Sequence, residues 1–122
     1  MATGRREPRP GHRQRLGKAG EDRAAAWYRQ AGYELLARNW RCPEGELDLV
    51  LRTPGTVVFC EVKTRSSTRF GLPAEAVTPT KQRRLRVLAA CFLRDHPQRG
   101  ATPRFDVASV IGDDVEVLEG AF

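Results

Sequence analysis

The chain is 122 residues long, 40% hydrophobic and 30% charged, which is enough for one domain with its own core and too little for two. Its 21 basic and 15 acidic side chains leave a formal net charge of +6, carried mostly by Arg; a polyanionic partner suits it, although charge alone does not separate DNA, RNA and an anionic membrane. No run approaches the roughly 20 apolar residues that span a bilayer, so a membrane-crossing helix is excluded and no membrane partner is expected.

Residues 1–15 are rich in Arg, Pro and Gly and lack the apolar stretch of a secretory signal, so they read as a disordered basic arm on a cytoplasmic protein, with 16–122 as the single folded domain. From Leu16 to Ala31 the spacing of Leu16, Gly20, Ala24, Trp27, Tyr28 and Ala31 predicts a helix, closed by Gly32. Glu21 falls at the edge of that stripe, where a carboxylate can reach inward.

Tyr33 to Arg41 reads as a strand, and Cys42-Pro43-Glu44-Gly45 as a turn. Next, Leu47–Leu51 and Thr56–Lys63, joined by Thr53-Pro54-Gly55-Thr56, form a β-hairpin. With Pro54-Gly55 at its centre, Asp48 stands opposite Glu61 and Glu46 opposite Lys63. One face then carries Glu46, Asp48, Val50, Phe59, Glu61 and Lys63, and the other Leu47, Leu49, Leu51, Val58, Cys60 and Val62.

Two carboxylates directly opposite each other repel by a few tenths to about 1 kcal/mol. A hard divalent cation, Mg2+ or Mn2+, would compensate, and a lysine beside it suits phosphoryl chemistry. A solvated strand end with loose ion pairs fits the hairpin alone equally well.

Thr64 to Val77 reads as an irregular stretch whose Ser66-Ser67-Thr68 and Phe70-Gly71-Leu72-Pro73 suit a loop near the site. Thr78-Pro79 opens a second helix, about Pro79 to Asp95, burying Leu85, Leu88, Ala89 and Phe92. Lys81, Arg83, Arg84 and Arg86 gather at its start, where the helix dipole disfavours cations; that fits a phosphate-backbone surface better than an ordinary solvated face. Two strands, Pro103–Ile111 and Val115–Leu118, turn around Gly112-Asp113-Asp114, and Asp106 has Arg104 as the donor it can satisfy. The expected architecture is α/β, in the order α-β-β-β-α-β-β, with a mixed sheet flanked by helices.

Cys42, Cys60 and Cys91 are odd in number and far apart, with no CxxC and only His12 and His96 to join them. That argues against a disulfide framework and a zinc site, and Cys60 reads as a small core residue.

Leu16-Gly17-Lys18-Ala19-Gly20-Glu21-Asp22, Asn39-Trp40-Arg41, Gly45-Glu46-Leu47-Asp48-Leu49-Val50, Phe59-Cys60-Glu61-Val62-Lys63-Thr64-Arg65, Phe70-Gly71, Lys81 and Arg104-Phe105-Asp106-Val107 together closely resemble the YraN family of small bacterial proteins. That family is similar to Holliday-junction resolvases of the PD-(D/E)XK nuclease superfamily, with its restriction-endonuclease-like core. The resemblance implies a Mg2+- or Mn2+-dependent endonuclease acting on DNA in preference to RNA, on branched or recombination intermediates. It places metal ligands at Asp48, Glu61 and the Val62 backbone carbonyl, Glu21 as a further ligand directly or through water, and a catalytic base at Lys63. Leu47 stands where the motif has proline, a position the superfamily varies.

An unperturbed lysine is almost wholly protonated at neutral pH, and neighbouring carboxylates are expected to raise its pKa further, which favours Lys63 as a charge stabiliser. Glu46 and Lys81 stand behind the direct ligands, Glu46 as counter-ion of Lys63 or as a support of the ligands, and Lys81 toward a phosphate or a site carboxylate. Arg41, Arg65, Lys81, Arg83 and Arg84 are the candidate nucleic-acid contacts. Symmetric junction cutting needs two sites, so similarity to resolvases implies a homodimer. A module that keeps this fold and binds nucleic acid or a partner without turnover is the alternative.

Overall fold

The computed structural model describes residues 8–65 and 77–122, with side chains from residue 17 onward. The expected loop residues 66–76, including Ser66-Ser67-Thr68 and Phe70-Gly71, lie outside the described residues, as do residues 1–7. The elements are α1 (Pro8–Gln30), β1 (Glu34–Cys42), β2 (Gly45–Thr53), β3 (Thr56–Arg65), α2 (Pro79–Asp95), β4 (Thr102–Ile111) and β5 (Asp114–Leu118), in the expected order α-β-β-β-α-β-β.

The first helix begins at Pro8, so the part of the expected arm from Pro8 onward is helical in backbone. Pro8 and Pro10 are tolerated there because the first turn of a helix has no intrahelical acceptor for its N–H groups. At the other end, the Tyr33 N–H donates to the Tyr28 carbonyl (2.9 Å) and the Gly32 N–H to Arg29 (3.0 Å), with Gly32 at φ 95°. This satisfies carbonyls the helix leaves open and stops it where expected. α2 starts on Thr78, whose Oγ1 accepts the Lys81 N–H at 3.2 Å, with proline in its first turn.

The five strands form one sheet in the order β1-β2-β3-β4-β5, antiparallel except for the β3–β4 pair, which the α2 crossover makes parallel. The hairpin register is the expected one: Val50 pairs with Phe59, Leu51 with Val58 and Thr53 with Thr56.

Each helix covers one face of the sheet. Ala24, Ala25 and Tyr28 of α1 pack on Leu49, Leu51, Val58, Cys60, Ala108 and Val110, whereas Leu85, Leu88, Ala89 and Phe92 of α2 pack on Val50, Val57, Phe59, Phe105 and Val107. Ala31 is exposed and Ala25 buried, a correction to the expected stripe that follows from the helix ending at Gln30. Gly20 permits a close approach of α1 to β3, since a Cβ there would collide with the Thr64 side chain. Beneath α1, the fully buried Asp106 carboxylate accepts from the Tyr28 hydroxyl (2.7 Å), Arg104 Nε (2.9 Å) and the Gly120 N–H (3.0 Å). Asp106 therefore satisfies donors, Arg104 among them, as its sequence neighbour suggested.

Candidate functional site

Backbone pairing between β2 and β3 runs up to Leu49–Cys60 and stops one residue short of Asp48 and Glu61. In place of the ladder, the Val62 N–H donates to Asp48 Oδ2 at 2.9 Å. On the other side of β2, Arg38 pairs with Leu49 and Trp40 with Leu47, so Asn39 stands opposite Asp48. Asn39 has a left-handed backbone at φ 54°, and among the described residues it is the one non-glycine with positive φ. Both edges of β2 are therefore irregular at Asp48.

The irregularity also flips a neighbour. Leu47 packs in the α2-side cluster with Leu88, while Leu49 packs beneath α1. This corrects the expected facing, because strict alternation holds only where the ladder is regular.

Asp48, Glu61, Glu46 and Lys81 line one cleft of about 250 Å3, with Glu44, Gly45, Arg84, Leu85 and Leu88 completing its wall. Glu61 is buried, and its Oε2 lies 2.6 Å from Lys81 Nζ and 3.4 Å from Lys63 Nζ. Glu21 is held at the edge of the site by Asn39 Nδ2, which donates to its Oε1 at 3.1 Å, and by Arg38 Nε at 3.4 Å. Arg38 also pairs with Asp22 at 2.6 Å.

Burial, then the charge of Glu61, push the Asp48 carboxyl up to about 7, with Glu21 and Glu46 adding to the repulsion and the Val62 N–H opposing it. Four carboxylates thus share one neighbourhood, and two ammonium groups answer mainly one of them. Burial, with Lys81 adding, lowers the Lys63 pKa against the pull of Glu61. The expected rise is therefore overturned, since desolvation and a second lysine outweigh the carboxylate. Burial also acts against the charge on Lys81, but the Glu61 contact outweighs it and holds Lys81 above its ordinary value.

Glu46 pairs with Arg41 at 3.7 Å, while the ion-pair partner of Lys63 is Glu61, so the counter-ion reading of Glu46 is corrected. The reason is again the interrupted ladder, which leaves Glu46 in register with Arg41 of β1 rather than with Lys63. Arg84 reaches the cleft wall, and Arg83 donates to Thr80 Oγ1 (3.3 Å) on the exposed start of α2. Arg65 closes β3. Arg86 instead lies over the Phe105 ring, 4.9 Å from its centroid, and serves packing.

The sequence reading gave no role to Asn39, although an Asn inside an apolar strand signals a left-handed backbone. It also set the cysteines aside as far apart. The β1–β2 turn brings Cys42 and Glu44 against Cys91 of α2, with ligand atoms all within 4.8 Å of one another, and this is the one such group of three among the described residues. Hydrogen bonding from Cys42 holds the Glu44 carboxyl below its usual range. Cys60 is buried in the core as expected.

A mixed five-stranded sheet covered by a helix on each face, in this element order, is the architecture of a restriction-endonuclease-like α/β protein. A family model described as "Uncharacterised protein family UPF0102" matches residues 20–110, and the chain belongs to that family, which is the YraN family. It is similar to the UPF0102 proteins of Frankia casuarinae (51% identical over 112 residues, 88% of this chain and 95% of the relative) and Nocardia farcinica (50% over 111 residues, 91% and 87%). At 39% identity over 117 residues, 91% of this chain and 99% of the relative, it is also similar to the UPF0102 protein of Caldicellulosiruptor saccharolyticus. No helix among the described residues is long and apolar enough to cross a membrane.

Proposed function

We propose that the chain is a Mg2+- or Mn2+-dependent endonuclease that hydrolyses phosphodiester bonds in DNA, with branched DNA as its preferred substrate. The observation that carries this reading is the crowding of Glu21, Glu46 and Glu61 around a half-buried Asp48 whose carboxyl is pushed up to about 7. Such crowding is relieved by a cation, and the donors are the hard oxygens that Mg2+ and Mn2+ take.

Asp48, Glu61, the Val62 carbonyl and Glu21 would hold the ion. When bound, it supplies Lewis acidity at the phosphate and a lowered pKa for a water. Lys63 stabilises negative charge on the phosphate, and its lowered pKa also leaves more free amine at alkaline pH than an exposed lysine has. Lys81 holds Glu61 in place, Asn39 positions Glu21, and Arg41, Arg65, Arg83 and Arg84 offer charge to the backbone. Cutting both arms of a symmetric junction takes two such sites, so the active species on that substrate is a homodimer acting in the cytoplasm.

Incubating the purified protein with labelled junction, flap and duplex DNA, and with RNA, in Mn2+ tests this. Cleavage of branched DNA that is lost in Asp48→Asn and Lys63→Ala is expected. Absence of cutting above those variants on every substrate would sink it.

One contact favours a second reading, a module that binds nucleic acid without turnover: Lys81, at 2.6 Å, already occupies Glu61 as a cation would. Calorimetric titration with Mn2+ in the presence of DNA separates the two, because binding without metal uptake leaves only the module.

A further inference from the structure

We propose that Cys42, Glu44 and Cys91 form a second metal site, for a thiophilic divalent cation of the Zn2+ class, beside the carboxylate cleft and sharing Glu44 with its wall. Two sulfurs and a carboxylate oxygen, all within 4.8 Å of one another, are a donor set that selects soft or borderline ions over Mg2+. The Cys91 Sγ to Glu44 Oε1 separation of 3.7 Å is close to the ligand-to-ligand distance in a tetrahedral site whose metal–ligand bonds are roughly 2.0–2.3 Å.

The three donors come from independent places in the fold. Cys42 ends β1 and pairs with Gly45, Glu44 sits in the turn between them, and Cys91 projects from the fourth turn of α2. Cys91 is buried and Cys42 half-buried against the α2-side core, so the sulfurs are held by packing, while Glu44 is exposed and leaves a path for entry. Three protein donors leave the fourth tetrahedral position to a water or an exchangeable ligand. Both thiols give up their protons to solvent when they ligate.

Glu44 also lines the cleft that holds Asp48 and Glu61. A metal here ties the β1–β2 turn to α2 and sets the width of that cleft. The proposal does not depend on the nuclease reading.

Reduced, metal-free full-length protein titrated with Co2+ under a phosphine reductant tests it. The expected result is thiolate-to-cobalt charge-transfer absorption that saturates at one equivalent of thiolate-bound Co2+ and is displaced by Zn2+, together with a rise in Tm on adding Zn2+. Cys42→Ser and Cys91→Ser lose the absorption, Glu44→Gln weakens binding without threatening the fold, and Asp48→Asn keeps it. Circular dichroism of each variant separates loss of a ligand from loss of the fold. No charge-transfer band in the wild type, or a band that survives both serine variants and so resides on Cys60, overturns the proposal. So does disulfide formation between Cys42 and Cys91 in a protein whose reduced form takes up no metal.

Discussion

Asp48 concentrates the chemistry of the molecule in one carboxyl group. Its ordinary pKa of 3.8 is pushed up to about 7, so the folded chain binds this proton more tightly than the unfolded chain. The stabilising contribution is present in full below pH 3.8 and is lost as the pH rises through 7. Asp48→Asn keeps an acceptor for the Val62 N–H and removes the charge, so at pH 8 it should be more stable than the wild type by about 1–3 kcal/mol, with the gap closing toward pH 4. Urea denaturation across that range checks it, and equal midpoints at pH 8 would refute the charge crowding. Mn2+ should restore stability to the wild type alone.

Asp106 is the contrasting acid, buried but fully satisfied by Tyr28, Arg104 and Gly120. Asp106→Ala leaves a buried hydroxyl and a guanidinium without their partner, and should cost roughly 3–5 kcal/mol in urea melts. Asp48 and Asp106 are the same residue type in strands of the same sheet; their surroundings alone make one structural and the other a candidate ligand.

At the scale of elements, the hairpin, the end of the first helix and the start of the second were legible because local rules govern them. Pro54-Gly55 sets the β2–β3 register, Thr78-Pro79 starts α2, and Gly32 ends α1. The facing of Leu47, the partner of Glu46 and the role of Asn39 were not legible. All three depend on the irregular pairing of β2 at Asp48, against β1 on one side and β3 on the other.

Asn39 combines a left-handed backbone with an amide that orients Glu21, and one substitution separates the two. Asn39→Gly retains the backbone freedom and drops the amide. Its unfolding free energy should stay within about 0.5 kcal/mol of the wild type while Mn2+ affinity falls about tenfold. Unchanged affinity in the titration would leave Asn39 as a backbone device only.

For the whole molecule, the net charge of +6 makes association with any polyanion salt-dependent. Arg84 lines the cleft and Arg83 lies on the adjoining exposed turn, so under the proposed nuclease reading both would meet a DNA backbone that reaches Asp48. Replacing both with Ala should weaken DNA binding across sequences and reduce the log–log salt slope by about 1–2, as measured by fluorescence anisotropy. An unaltered slope would move the DNA path elsewhere on the surface.

The order of elements, the hairpin register, the helix caps and the family are determined by the sequence by itself, since each rests on spacing within a short segment or on motif residues. Tertiary structure alone decided which carboxylates are brought together, that Lys81 rather than Glu46 completes the ion pairing around Glu61 and Lys63, and that Cys42 and Glu44 of the β1–β2 turn meet Cys91 of α2. The physical reason is range: hydrogen bonds and turns act along the chain, whereas burial and charge depend on whatever the fold brings alongside.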